Sequence, residues 1–252
     1  MTDELKGKLV LLTGATGFFG GHLAKALTGK CNLVLAGRDN YFVSLRHEYD
    51  YILHFAPVPI EPVLECAHKT KAKVLYASSG AVYGGKEGMV KETDETWPKT
   101  DYGKEKLRSE YLLKTSGLDY KICRLFTFSG TGMRDYFAIT QFINAVKNNK
   151  PMVLFNHGNA IRSYMDISDA VEWILTILLK GKGIYNVGSE RQTSIRELAR
   201  LIKDMRGGEI IEDRKPFHEN APFYVPNCDK AHKLGLQQTI SLQDSLRRMM
   251  DA

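Results

Sequence analysis

Residues 8–29, "KLVLLTGATGFFGGHLAKALTG", pass from an aliphatic run through three glycines into a stretch rich in helix formers. Gly14, Gly17 and Gly20 are spaced GxxGxxG, and Gly29 closes the helical stretch. In such a loop the first glycine makes a tight turn, the second lets backbone approach a diphosphate, and the third lets the helix pack closely. Free N–H groups at the helix start, with their positive potential, suit a bound anion. With a strand before and a helix after, Gly14, Gly17 and Gly20 read as a dinucleotide-binding loop.

The chain repeats the alternation. "NLVLAG" (32–37), "YDYILHFA" (49–56), "KVLYAS" (73–78) and "YKICRLF" (120–126) are further short apolar runs. Helical patterns such as "PVLECAHKTK", "DYGKEKLRSEYLLKTS" and "YFAITQFINAVKN" lie between most of them. This predicts a doubly wound α/β fold, a parallel sheet covered on both faces. The connection between the second and third runs is close to the shortest that a parallel crossover allows. Beyond residue 150 the order is less regular. "PMVLF", "SDAVEWILTILLKG", "GIYNVG" and "SIRELARLIKDM" read as a smaller lobe built on the sheet. We expect a dinucleotide-binding domain over 1–150 and a mainly substrate-binding lobe over 151–252, interleaved with the sheet and without a linker.

Composition narrows the classes of function. With 252 residues, 43% of them hydrophobic, the chain can bury a full core. No run reaches the roughly 18 apolar residues of a membrane span; "AVEWILTILL" is interrupted by Glu172 and reads as a buried helix. The first residues, "MTDELKGKLV", are acidic where a signal peptide is basic. Cys31, Cys66, Cys123 and Cys228 stand far apart without a CxxC pair. They point to reduced thiols in a cytoplasmic protein, with neither a disulfide frame nor a metal site. The net charge of +6 comes from basic residues scattered among acids, as in "KEGMVKETDE". That pattern argues against a nucleic-acid stripe and suits small anionic ligands.

The second apolar run ends beside Arg38 and Asp39. An acid there binds the ribose 2′-hydroxyl of NAD, and an arginine accommodates the 2′-phosphate of NADP. Both cofactors stay open, with a slight lean to NADP because Arg38 comes first. In "TDYGKEKLRSEYLL", Tyr102 and Lys106 are four residues apart and share one helix face. A phenol ordinarily titrates at about 10, and a nearby ammonium favours its ionised form. Such a tyrosine can take a proton from a hydroxyl, or return one to a carbonyl oxygen, while hydride moves to or from nicotinamide. "KVLYASS" ends where ligands of parallel sheets lie, beyond the strands' carboxyl ends. A hydroxyl at that edge, with Tyr102 arriving from the next helix, would hold the reacting oxygen of a substrate; on the plainer reading, Ser78 and Ser79 only cap a turn beside Gly80.

Taken together, these motifs resemble the extended short-chain dehydrogenase/reductase family, specifically its NAD-dependent epimerase/dehydratase group acting on nucleotide sugars. The resemblance covers nearly the whole chain: "TGATGFFG", "HFA", "SSGAVYG", "YGKEK", "RLFTFSGTG", "RSYMDISDA", "GIYNVGSERQTSIRELA" and "DKAHKLGLQQTISLQDSLRRM". It implies Ser79, Tyr102 and Lys106 as the catalytic set, with Lys106 also holding the cofactor ribose. It further implies Thr16, Phe18, Phe19, Phe55, Ala56 and Ser78 at the cofactor, and Ser79, Tyr83, Thr127, Arg162 and Arg214 at the substrate. An arginine fork at Arg162 suits a diphosphate, whereas Thr127 stands where the family usually has an asparagine.

Two segments are shorter than in the family, those after the second and third runs, so the adenine side should be more open. Gly80 and Ala81 stand where 4,6-dehydratases of the group carry Asp-Glu, which argues against that reaction. The expectation is an NAD(P)-dependent epimerase or ketoreductase of a nucleoside-diphosphate sugar. It would be a homodimer through helices near 58–70 and 102–115. The alternatives are a reductase of a non-nucleotide carbonyl compound and a non-catalytic dinucleotide-binding regulator.

Overall fold

A computed structural model describes residues 2–213 and 224–252. Its main strands are β1 (Leu9–Thr13), β2 (Asn32–Ala36), β3 (Tyr51–His54), β4 (Lys73–Ser79), β5 (Tyr120–Leu125) and β6 (Gly183–Val187). The helices are α1 (Phe18–Leu27), α2 (Tyr41–Ser44), α3 (Glu61–Thr70), α4 (Asp101–Thr115), α5 (Ala138–Lys147), α6 (Ile167–Lys180), α7 (Ile195–Arg206), α8 (Asp229–His232) and α9 (Leu242–Asp251).

Successive side chains of a strand point to opposite faces, and here both faces find a hydrophobic layer. Val10 and Leu12 of β1 pack with Leu23 and Leu27 of α1 and with Trp173, Ile174 and Ile177 of α6. Leu11, between them, packs with Val63 and Ala67 of α3 and Leu113 of α4. The six strands are all parallel, in the order β2-β1-β3-β4-β5-β6. In register Thr13 lies opposite His54 and His54 opposite Tyr76, so β4 runs three residues further and ends at Ser79 beside Leu125.

The chain does not divide at residue 150. β6, expected in the lobe, pairs along β5 as the sixth strand of the sheet, and α6 packs beneath the sheet. The lobe has its own core, where Ile143, Leu198, Ile202 and Leu246 of α5, α7 and α9 meet Met152 and Leu154.

The usual dinucleotide-binding order, 3-2-1-4-5-6, sets another strand outside the second one. Here β2 is the edge, and the chain passes through the four-residue α2 straight back to β3 beside β1. Side chains occupy both sheet edges. Asn40 Nδ2 donates to the Leu35 carbonyl at 3.0 Å, while its Oδ1 accepts from Gly37 N at 2.7 Å. At the other edge, Lys230 Nζ donates to the Ile184 carbonyl at 2.6 Å. Filling edge groups in this way discourages pairing with another chain. Among the described residues, no helix is long and apolar enough to cross a membrane.

Candidate active site

At the end of β1 the chain turns through Gly14, whose φ is +75°. A side chain at Gly20 would put its first carbon 2.0 Å from the Gly14 carbonyl oxygen, so α1 approaches the loop as closely as backbone allows. α1 starts from Gly17 with no side-chain cap on its N–H groups. Phe18 and Phe19 turn into the layer below, and the Phe19 ring meets Phe128 edge-on at 4.6 Å. Thr16 stays exposed, next to Gly37 at the end of β2. Arg38 and Asp39 follow, both exposed, and neither forms an ion pair among the described residues. Phe55 and Ala56 are fixed by Thr13, whose Oγ1 accepts from their N–H groups at 3.1 and 3.2 Å. The loop and the ends of β2 and β3 therefore share the carboxyl edge of the sheet.

Ser79 ends β4 and caps the turn Gly80–Tyr83, its Oγ accepting from Ala81 N at 3.1 Å. That use of the oxygen leaves the Ser79 proton to turn toward the Tyr102 phenol, whose ionised form the serine favours. Tyr102 can stand there because α4, capped by Thr100, presses against the turn at Gly103. A first side-chain carbon on Gly103 would lie 2.8 Å from the Ala81 carbonyl oxygen. Lys106, one helical turn on, donates to the Ala77 carbonyl at 2.8 Å and lies 5.8 Å from the centre of the Tyr102 ring. A cavity of about 140 Å³ opens between the Pro57–Pro59 loop and Tyr102, Glu105, Lys106 and Ser109, with Tyr76 beside them.

The electrostatics differ from the expectation of a phenol made acidic by its lysine. The Tyr102 ring is 57% exposed, but desolvation of its hydroxyl end raises the pKa above the ordinary value, and the bond with Ser79 only opposes this. The Lys106 ammonium is directed at a backbone carbonyl. Burial lowers its pKa to about 8, against the pull of Glu105 and Glu110. In the protein alone, Tyr102 keeps its proton at neutral pH.

Arg162 is half-buried on a short strand opposite Thr193 and donates to the Ile161 carbonyl at 2.7 Å. Burial raises the pKa of the Tyr224 phenol, and the Arg162 guanidinium opposes that rise. Thr127 is half-buried beside this region, its carbonyl accepting from Met165 N. Two expected contacts turn inward. Ser78, 2% exposed, donates to Glu110 Oε1 at 2.5 Å, and Tyr83, wholly buried, donates to Asn186 Oδ1 at 2.7 Å. Both hydroxyls are consumed beneath the site and are not offered to a ligand. Arg214 lies outside the described residues.

Sequence reasoning missed Tyr224, Phe126, Tyr136 and Gly103. Tyr224 and Phe126 pack edge-on at 5.8 Å over Gly80, and Tyr136 faces Tyr102. Gly103 and Phe126 sit within "YGKEK" and "RLFTFSGTG", where the small residue after Tyr102 could have signalled a close approach, whereas Tyr136 and Tyr224 lie in none of the family motifs.

Residues 60–188 match the model of the NAD dependent epimerase/dehydratase family. An uncharacterised UDP-glucose epimerase of Bacillus subtilis is 26% identical, over 79% of this chain and 82% of that protein. The human dTDP-D-glucose 4,6-dehydratase is also 26% identical, over 84% of this chain and 72% of its own. The fold is that of the UDP-glucose 4-epimerase of Thermotoga maritima, solved with UDP-glucose: TM-score 0.87, 20% identity, 96% of this chain and 97% of the other. The relatives thus include epimerases and a dehydratase, and they give no support to setting 4,6-dehydration aside.

Proposed function

The chain belongs to the NAD-dependent epimerase/dehydratase family, and from that premise we propose that it is an NAD(P)-dependent epimerase or ketoreductase of a nucleoside-diphosphate sugar. The observation that carries this reading is the convergence at the end of β4 of Ser79, Tyr102 and, one turn away on the same helix, Lys106.

The residues fit a dinucleotide. The uncapped start of α1 at Gly17 offers N–H groups to a diphosphate, and the cavity beside Lys106 and Tyr102 takes the other end. Bound there, the nicotinamide supplies a hydride acceptor and donor. Ser79, held through Ala81 N, points its proton at the phenol and shares the reacting oxygen of the sugar with it. Tyr102 moves the proton at that oxygen, giving it to a ketone or taking it from an alcohol. Lys106 keeps two N–H groups beyond the one used on Ala77, enough to hold ribose hydroxyls. Arg162, without an ion-pair partner among the described residues, suits the substrate's diphosphate. The exposed Arg38 favours NADP over NAD; Arg38→Ala should weaken NADP binding and leave NAD unchanged.

Gly80 supports epimerisation or reduction over dehydration. A first side-chain carbon there would lie 3.1 Å from Tyr224 and 3.2 Å from Phe126, so an acid at this position requires those two rings to shift.

The test begins with thermal shifts for a panel of sugar nucleotides and simple ketones, since binding to the folded state raises the midpoint by mass action. The stabilising sugar nucleotide is then assayed for turnover. An epimerase runs on a trace of dinucleotide, a ketoreductase consumes it mole for mole, and a dehydratase releases a 4-keto-6-deoxy product. Tyr102→Phe should lower kcat about a hundredfold or more. Full turnover in that variant, or stabilisation by ketones alone, would sink the proposal.

A further inference from the structure

Behind the end of β4 lies a buried polar network that the catalytic reading does not use. Glu110 of α4 is 1% exposed and Arg124 of β5 is 3% exposed. They form a two-pronged pair, Arg124 Nε to Glu110 Oε1 at 3.0 Å and Nη2 to Oε2 at 2.7 Å. Ser78 donates to the same Oε1 at 2.5 Å. Arg124 also donates to the Glu92 carbonyl at 3.3 Å and lies 4.8 Å from the centre of the Tyr83 ring. Tyr83 is tied in turn to Asn186, whose own N–H donates to Glu92 Oε1 at 2.8 Å.

The placement of these groups is telling. Ser78 immediately precedes Ser79, and Tyr83 closes the turn that Ser79 opens, so the network grips this turn at both ends. Glu110 lies one helical turn beyond Lys106 and two beyond Tyr102. A buried ion pair is weak evidence for stability, because apolar residues of similar volume often serve as well or better. They cannot supply directional bonds. A fully satisfied polar network fixes one geometry, and here that geometry relates the serine's turn to the tyrosine's helix.

We propose that Glu110 is a positioning residue: paired with Arg124, it clamps the turn carrying Ser79 to the helix carrying Tyr102 and Lys106. The inference rests on the catalytic reading above and adds what keeps its parts in contact.

Two variants test it. Glu110→Met with Arg124→Leu removes both charges together and leaves neither buried alone. Ser78→Ala removes only the strand's bond to the carboxylate, and it decides the matter if the double variant does not fold. The readouts are kcat, KM, dinucleotide affinity and the ionisation of Tyr102. The last is isolated in the near-ultraviolet as the difference between each protein and its Tyr102→Phe counterpart. The groups acting on that phenol are Ser79, Lys106, Tyr76, Tyr136 and Tyr224, and all are left in place. The clamp predicts a folded protein with KM and dinucleotide affinity within about twofold and kcat lowered about tenfold or more, because small misplacements at a reacting centre are costly. It also predicts that Tyr102 ionises at higher pH, since Ser79 no longer donates to it steadily. Unchanged kcat with unchanged Tyr102 ionisation in a folded variant overturns the proposal. If the unaltered protein turns over no sugar nucleotide, the functional reading fails, and the Tyr102 ionisation alone still decides the clamp.

Discussion

Thr13 Oγ1 accepts two backbone N–H groups, from Phe55 and Ala56, so its own proton goes to His54 Nδ1 at 2.8 Å. The remaining ring nitrogen then donates to the Val58 carbonyl at 3.3 Å. This arrangement needs a neutral imidazole. Burial first, and Lys106 second, lower its pKa from 6.5 to about 4. A base whose pKa is depressed on folding contributes stability that is full above the unfolded value and is lost as pH falls through the folded one. His54 should therefore cost the fold roughly 3 kcal/mol between pH 6.5 and 4. His54→Gln keeps an acceptor and a donor without the charge. Its thermal midpoint should fall less steeply over that interval, and parallel curves for the two proteins would refute the role. Nothing in "HFA" announces this, because the partner threonine lies on another strand.

Helix α4 owes its place to a glycine. Replacing an interior helical glycine by alanine usually gains up to about 1 kcal/mol in propensity. At Gly103 the added carbon would meet the Ala81 carbonyl at 2.8 Å and Pro98 Cβ at 3.0 Å, so a rigid clash decides the sign. Gly103→Ala should lower the thermal midpoint and, by pushing Tyr102 away from Ser79, lower turnover as well. A raised midpoint with full turnover would show that the gap is looser than the structure implies. Elements of this kind differ in how far the sequence reveals them. The strands and the Tyr102–Lys106 spacing were readable because each is a local period, two residues or nearly four. The tight seat of Gly103 was not, because it depends on residues twenty positions away. "GIYNVG" failed for a related reason: its composition suits a lobe strand as well as a sheet strand, and only the pairing of Ile184 with Ile122 decides.

For the whole molecule, the main consequence lies at the β2 edge. The glycine loop and strand ends make a dinucleotide site legible from motifs. What the sequence offered only as a shortened segment becomes, in the fold, a sheet with no strand outside β2 among the described residues and a four-residue helix in its place. The side chains there are open to solvent: Leu35 is 43% exposed, Phe42 71% and Val43 58%. On the proposed reading, the adenosine half of the cofactor rests on this thin edge, held at its ribose by Arg38 or Asp39 and little covered beyond. Affinity should then come mainly from the diphosphate and the nicotinamide end. Dinucleotides carrying a bulky group on the adenine amine should bind within about threefold of the parent, because a group that stays in water loses no contacts. Calorimetric titration of the parent and the N6-substituted cofactor measures this directly. A loss of a hundredfold or more, about 2.7 kcal/mol, would mean that something encloses the adenine, and the open edge would have to close on binding.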